Sequence, residues 1–380
     1  CHTACLLSLG RPGLEGIGGM VETYYPGPES QGGWRALVAP EEVRRCAGME
    51  PHALEELRQW LRESDDRPFA AVVIRNGFII LEEERGRSAR TSCQNIKSCA
   101  KAICATVLAI AAQESQSGEA PRKMAFGDPA SAYLPWAEPL SDPRKAQITV
   151  RQLLNHTSGI TPERSGVPNR GSWEVILGHA GDGRTATLAF DPGTDLGYTT
   201  HAFYHAALVC EYVTGMPYDR FAINALLRPL GIETWWFEVL DGNERHGSHP
   251  SHALGLPARE MARIAYCLLH GGRWGERQVI PRWFIEESGA PTHEVQGIKD
   301  FGRDAQSFSH AWELPGQRPG GPSSGIPPDA RSKPGSGGQL IALVPSLDLV
   351  VVRQTGGSGQ WPYDEYLSRA CAAVLLGHGQ

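Results

Sequence analysis

The chain has 380 residues, 41% of them hydrophobic and 21% charged, which is enough for one large or two ordinary folded domains with a substantial core. A formal net charge of −6 and scattered arginines supply no basic field for a phosphate backbone, so nucleic acid is excluded as an expected partner. The longest apolar run is about a dozen residues, short of the roughly 20 that cross a bilayer, and no transmembrane segment is expected.

Residues 1–50 are rich in Gly and Pro and read as an extended N-terminal arm. Because the chain starts at Cys1 and not at Met, its N-terminus reads as processed or truncated, and no signal peptide is visible. From Pro51 to Glu63 the apolar positions Leu54, Leu57, Trp60 and Leu61 have helical spacing, with a proline at the first turn. Phe69 to Ile74 and Phe78 to Glu82 read as two strands around Asn76-Gly77, a strong hairpin signal.

The middle of the chain, about 98–290, is helical in pattern, with segments at 150–155, 173–178, 201–214, 218–227, 258–270 and 281–287. Residues 316–338 read as a long stretch without regular structure that flanks a site. Gln339 to Val344 and Leu347 to Arg353 are two further strands, and Asp364 to Leu376 is helical. The expected architecture is an α/β sandwich: an antiparallel sheet built from both termini (51–97 and 291–380), flanked by helices, with a helical lobe (98–290) inserted between its halves.

Within this plan S-C-A-K, Ser98 to Lys101, opens the apolar run from Ala100 to Ala112. A serine in the first turn and a lysine three residues on share one helix face. The helix dipole favours an oxyanion at Ser98 and disfavours a protonated amine at Lys101, the arrangement that makes a lysine a general base. Of the six lysines, this alone has a serine three positions before it.

Beyond S-C-A-K the chain contains I-T-V-R-Q-L-L-N-H-T-S-G-I (148–160), F-D-P-G-T-D-L-G-Y-T-T (190–200), V-T-G-M-P-Y-D-R-F-A-I-N-A-L-L-R-P-L-G-I (213–232), A-R-E-M-A-R-I-A-Y-C-L-L-H-G-G-R-W (258–274) and G-S-G-G-Q-L-I-A-L-V-P-S-L-D-L-V-V-V (335–352). In this order they resemble the serine β-lactamase and penicillin-binding-protein superfamily, in its class C-like branch of esterases, D-aminopeptidases, DD-peptidases and 6-aminohexanoate-dimer hydrolases. The resemblance covers about residues 50–376 and implies the β-lactamase/transpeptidase-like fold. It implies Ser98 as acyl-accepting nucleophile, Lys101 as its partner, and Tyr198 in place of the family's Y-x-N tyrosine. A tyrosine of pKa about 10 accepts a proton in this role only where a cation stabilises its anion, and Lys101 and Lys333 would supply it. Lys333-Pro334-Gly335 falls at the family's K-T-G, and the backbone N–H groups of Ser98 and Ser336 would then form the oxyanion hole. The resemblance also points to an extracytoplasmic location.

Two departures bear on specificity. Thr200 stands where the family most often has Asn; it has no carboxamide to hold a substrate amide, which an ester needs less. No class A E-x-x-L-N loop is present. Metal is not expected: neither His246, His249 and His252 nor the pair His201 and His205 makes up a complete ligand set at closed spacing. His156 reads as ordering a loop, and Trp235 and Trp236 as core or cleft residues. Nine cysteines without small-scaffold spacing indicate no disulfide framework.

The expected activity is therefore cofactor-free serine hydrolysis through an acyl-enzyme, most simply on small esters. Amide or peptide hydrolysis and a non-catalytic binding or sensor protein are the alternatives. The partner is a small ester or amide, and nothing in the chain specifies an oligomeric state.

Overall fold

The computed structural model describes residues 23–162, 177–180, 183–237, 254–291, 308–318 and 325–375. Among them, strands are β1 (Arg35–Ala36), β2 (Phe69–Arg75), β3 (Phe78–Arg85), β4 (Gln94–Asn95), β5 (Trp236–Phe237), β6 (Leu254–Leu256), β7 (Arg273–Trp274), β8 (Arg277–Gln278), β9 (Phe308–Ser309), β10 (Trp312–Glu313), β11 (Arg331–Gly335), β12 (Gln339–Val344) and β13 (Leu349–Thr355). The helices are α1 (Pro40–Ala47), α2 (Pro51–Glu63), α3 (Cys99–Ser117), α4 (Val150–Leu154), α5 (His201–Thr214), α6 (Tyr218–Ala222), α7 (Ala258–Leu269), α8 (Arg282–Glu287) and α9 (Tyr363–Ala372).

Eight strands form one sheet in the order β1-β3-β2-β13-β12-β11-β10-β9, so both chain ends build it, as expected. The sheet is mixed, not purely antiparallel: β1 runs parallel to β3, pairing Arg35 with Phe78, while the other pairs are antiparallel. A two-residue strand has too little periodicity to be read in advance. Three more short strands form a β4-β6-β5 sheet, and β7 and β8 a ribbon.

The central strands are buried on both faces, which is why they read as nearly unbroken apolar runs. Val72, Ile74, Ile341, Leu343, Val350 and Val352 face one core, shared with α3 and α7. The alternate residues Ala71, Val73, Leu340, Ala342, Leu349 and Val351 face a second, shared with α1, α2 and α9. Helix α3 is apolar all round and buried along most of its length, as befits a helix enclosed by other elements.

Three segments differ from expectation. Within 23–50, read as an extended arm, Pro40–Ala47 is a helix and Trp34 is buried. Helix α7, read as part of the inserted lobe, packs against β2, β12 and β13. Residues 331–335, read as irregular, are strand β11. Pro334 obscured this strand; among the described residues β10 pairs with β11 through Ser332, which leaves that side of the strand an edge from Lys333 onward, where a residue without an N–H is tolerated. The expected segment 173–178 lies mostly outside the described residues.

Candidate active site

Ser98 stands at the start of α3, half-buried and reachable from solvent. The chain enters through Lys97, whose φ of +53° is unusual for a side-chain-bearing residue, and Asn95 Oδ1 steadies the turn by accepting the Lys97 N–H at 2.7 Å. One helical turn on, Lys101 is fully buried and its Nζ donates to Ser98 Oγ at 3.1 Å.

Tyr198 arrives from the segment before α5 and is 8% exposed. Its support is the loop after α4, a helix begun by a reciprocal capping box between Thr149 and Gln152. In that loop His156 has φ +60° and stacks on Tyr198 with ring centroids 4.3 Å apart. His156 O accepts the Gly197 N–H at 2.8 Å and His156 Nδ1 accepts the Thr199 N–H at 3.2 Å, so it orders the segment on both sides of the tyrosine. Gly159 could be nothing else: its φ is +76°, and a Cβ there would lie 2.1 Å from Phe190 O. Thr200 is fully buried at the N-cap of α5.

Lys333, on β11, is 1% exposed. Two ammonium groups flank the Tyr198 ring, Lys101 Nζ and Lys333 Nζ, each 5.0 Å from its centroid. The Lys333 ammonium also donates to Glu313 Oε1 at 3.3 Å, and Glu313 is itself buried. This carboxylate was not among the residues expected from sequence; the available signal was one acidic residue inside the apolar stretch A-W-E-L-P.

The end of β11 is pressed against the chain that leads into Ser98. A Cβ on Gly335 would fall 2.8 Å from Ile96 O and 3.2 Å from Lys97 Cβ, so only glycine allows this approach. Cys99 Sγ donates to Lys333 O at 3.0 Å, and Tyr363 Oη donates to Gly335 O at 2.8 Å. Burial pushes the Cys99 thiol and the Tyr363 phenol both up to about 12, which keeps each a hydrogen-bond donor at neutral pH. Ser336 follows at the exposed tip of the turn, its Oγ accepting the Gly359 N–H at 3.3 Å.

The fold thus gathers Ser98, Lys101, Tyr198 and Lys333, brings Gly335 against the segment that leads into Ser98, and leaves Ser336 at the rim. The residues His246, His249 and His252 lie outside the described residues. His205 Nδ1 bonds His201 O at 2.7 Å, and no group of His, Cys, Asp and Glu suited to a metal occurs among the described residues. The seven described cysteines are free, and no described helix is long and apolar enough to cross a membrane.

A model of the Beta-lactamase family matches residues 57–374. Among solved structures, a family VIII carboxylesterase superposes with a TM-score of 0.63 at 18% identity, covering 90% of this chain and 99% of that one. A mutant class C beta-lactamase gives 0.64 at 14% identity, covering 90% and 100%. A penicillin-binding protein homologue from Caulobacter crescentus gives 0.64 at 17% identity, covering 85% and 97%. By sequence, Protein flp of Staphylococcus aureus (strain N315) is 23% identical over 188 residues, 46% of this chain and only 36% of that protein's length.

Proposed function

The chain belongs to the Beta-lactamase family, with its α/β fold, and from that premise we propose that it is a serine hydrolase acylated on Ser98, acting on small carboxylic esters without a metal or cofactor. The observation that carries this reading is the 3.1 Å contact between Lys101 Nζ and Ser98 Oγ, with the ammonium buried and the serine accessible.

In the proposed reaction Ser98 Oγ attacks the ester carbonyl while its proton passes to the Lys101–Tyr198 pair. Tyr198 can take that proton because two cations lie over its ring and stabilise a phenolate. The tetrahedral oxyanion is received by the backbone N–H groups of Ser98 and Ser336, the first aided by the N-terminus of α3. Collapse breaks the bond to the alcohol, which leaves with the proton held by the pair. A water, deprotonated by the same pair, then attacks the acyl-enzyme and returns Ser98 with its proton.

Ester is preferred over amide because Thr200, buried at the head of α5, has no carboxamide to align a substrate amide. Amide hydrolysis is the second reading, favoured by the penicillin-binding and β-lactamase relatives. The test is turnover of p-nitrophenyl butyrate beside its anilide analogue, with the Ser98→Ala variant. We expect ester hydrolysis that the variant loses, and an anilide at least about a thousandfold slower. Comparable rates on both would establish the amidase reading, and an unimpaired Ser98→Ala would remove the nucleophile assignment.

A further inference from the structure

Lys333 Nζ lies 5.0 Å from the ring centroid of Tyr198, the proposed proton carrier, and an unopposed ammonium there would attract an anionic substrate bound at Ser98. Here a carboxylate from the next strand already opposes it. Glu313 pairs across β10–β11 with Ser332, the residue before Lys333, and its Oε1 lies 3.3 Å from Lys333 Nζ. Lys333 is 1% and Glu313 3% exposed, so the pair is little screened by water and its two charges largely cancel at the distance of a bound substrate.

Among the described residues, the other charges around the pair do not restore an anion site. Arg318 Nη2 lies 3.8 Å from Glu313 Oε2, but Arg318 is itself bonded to Asp364. The His156 ring is fully buried and its Nδ1 accepts the Thr199 N–H, so that nitrogen has no proton to offer an anion. Lys101 is committed to Ser98 Oγ, and a carboxylate bound there would displace the reacting carbonyl. A substrate carboxylate drawn toward Lys333 therefore also approaches Glu313, a like charge in a poorly hydrated place.

We infer that Glu313 is a specificity-determining residue that makes this cleft select esters uncharged in both their acyl and alcohol parts and reject carboxylate-bearing ones. The inference rests on the serine-hydrolase reading and narrows its substrate class. Glu313 acts through Lys333 and not on the reacting atoms.

The experiment compares matched esters that differ by one carboxylate: mono-p-nitrophenyl adipate against its methyl ester for the acyl side, and 3-carboxy-4-nitrophenyl butyrate against p-nitrophenyl butyrate for the alcohol side. In the wild type, kcat/KM for each anionic ester should be at least about tenfold below its neutral partner, the loss appearing in KM. In Glu313→Gln, which keeps the shape and removes the charge, the gap should close by about tenfold. The double variant Glu313→Gln/Lys333→Met lacks both charges and should keep the gap open, which separates charge from packing and remains readable if the single variant folds poorly. Equal kcat/KM for anionic and neutral esters in a Ser98-dependent wild type overturns this inference and leaves the hydrolase standing. Closure of the gap in the double variant as fully as in the single also overturns it. Failure of every ester, with a folded protein inert to fluorophosphonate, overturns both readings.

Discussion

Arg353 on β13 and Lys333 on β11 are both buried, separated in the sheet by β12 alone, yet their surroundings differ. Arg353 gives Nη2 to Asp65 at 2.7 Å and Nη1 to Gly338 O at 2.9 Å, while its plane lies 4.2 Å from the Trp361 ring and 4.7 Å from Phe69. The planar fork is used as a clasp that ties β13 to the segment before β2 and to the turn beyond β11. Lys333 has a looser bond of 3.3 Å to Glu313, and its ammonium lies 5.0 Å from the centroid of the Tyr198 ring. An arginine with a well-aligned carboxylate holds the architecture, whereas a lysine acting as a point charge leaves room to influence a neighbour that is proposed to carry a proton. In this account the first cation stabilises the fold and the second serves the reaction.

The sharpest way to break that division is to alter the neighbour. Tyr198→Phe keeps the ring between the two ammonium groups and the stack on His156, so the fold should be retained, while kcat for p-nitrophenyl butyrate should fall by about 10²- to 10⁴-fold. A rate near wild type would take Tyr198, and with it the purpose of the Lys333 charge, out of the mechanism.

At the clasp the loss should be of stability. Arg353→Met leaves buried Asp65 with Arg67 but without the second of its guanidinium partners, and chemical denaturation should show a loss of about 2–3 kcal/mol. Burial alone would raise the Asp65 carboxyl, but hydrogen bonds from Arg67 and Arg353 hold it down at about 2, below the usual carboxylate range. A depressed carboxylate contributes stability that is complete above its unfolded pKa and is lost as pH falls through the folded one. The wild type should therefore lose this contribution between about pH 4 and pH 2, and Arg353→Met should show a shallower acid dependence in that window. A variant as stable as the wild type would contradict the clasp.

The smallest effect is expected at the seam between the two regions. Cys99→Ala removes the thiol that donates to Lys333 O and leaves a small space in the first turn of α3. A loss of about 1 kcal/mol or less, with at most a few-fold change in kcat/KM, is the predicted result. A collapse of activity would mean that this bond, and not the Glu313 pair, sets the position of Lys333.

The same contrast explains what could be read in advance. Elements whose information is local were legible: the hairpin at Asn76-Gly77, the spacing of α2, the apolar strands β12 and β13, and the serine and lysine one helical turn apart in α3. The family and its α/β architecture followed from these and from the motif order. What sequence did not reveal is made by pairing. Strand β11 carries Lys-Pro-Gly, residues that argue against a strand, and is held by its register with β12. The two-residue strands β9 and β10 have no periodicity of their own, so Glu313 could not be placed beside Lys333 although 20 residues separate them in the chain. His156 was legible as a loop former, but its stack on Tyr198 depends on a segment 42 residues away.

The central claim is that Lys101 makes Ser98 the reactive nucleophile. Intact mass and peptide mapping after exposure to a fluorophosphonate probe test it most directly, on wild type, Ser98→Ala and Lys101→Met. The account predicts one adduct in the wild type, mapped to Ser98, none in Ser98→Ala, and labelling slowed by about a hundredfold or more in Lys101→Met. A folded wild type that stays unmodified, or an adduct that persists in Ser98→Ala, would contradict it.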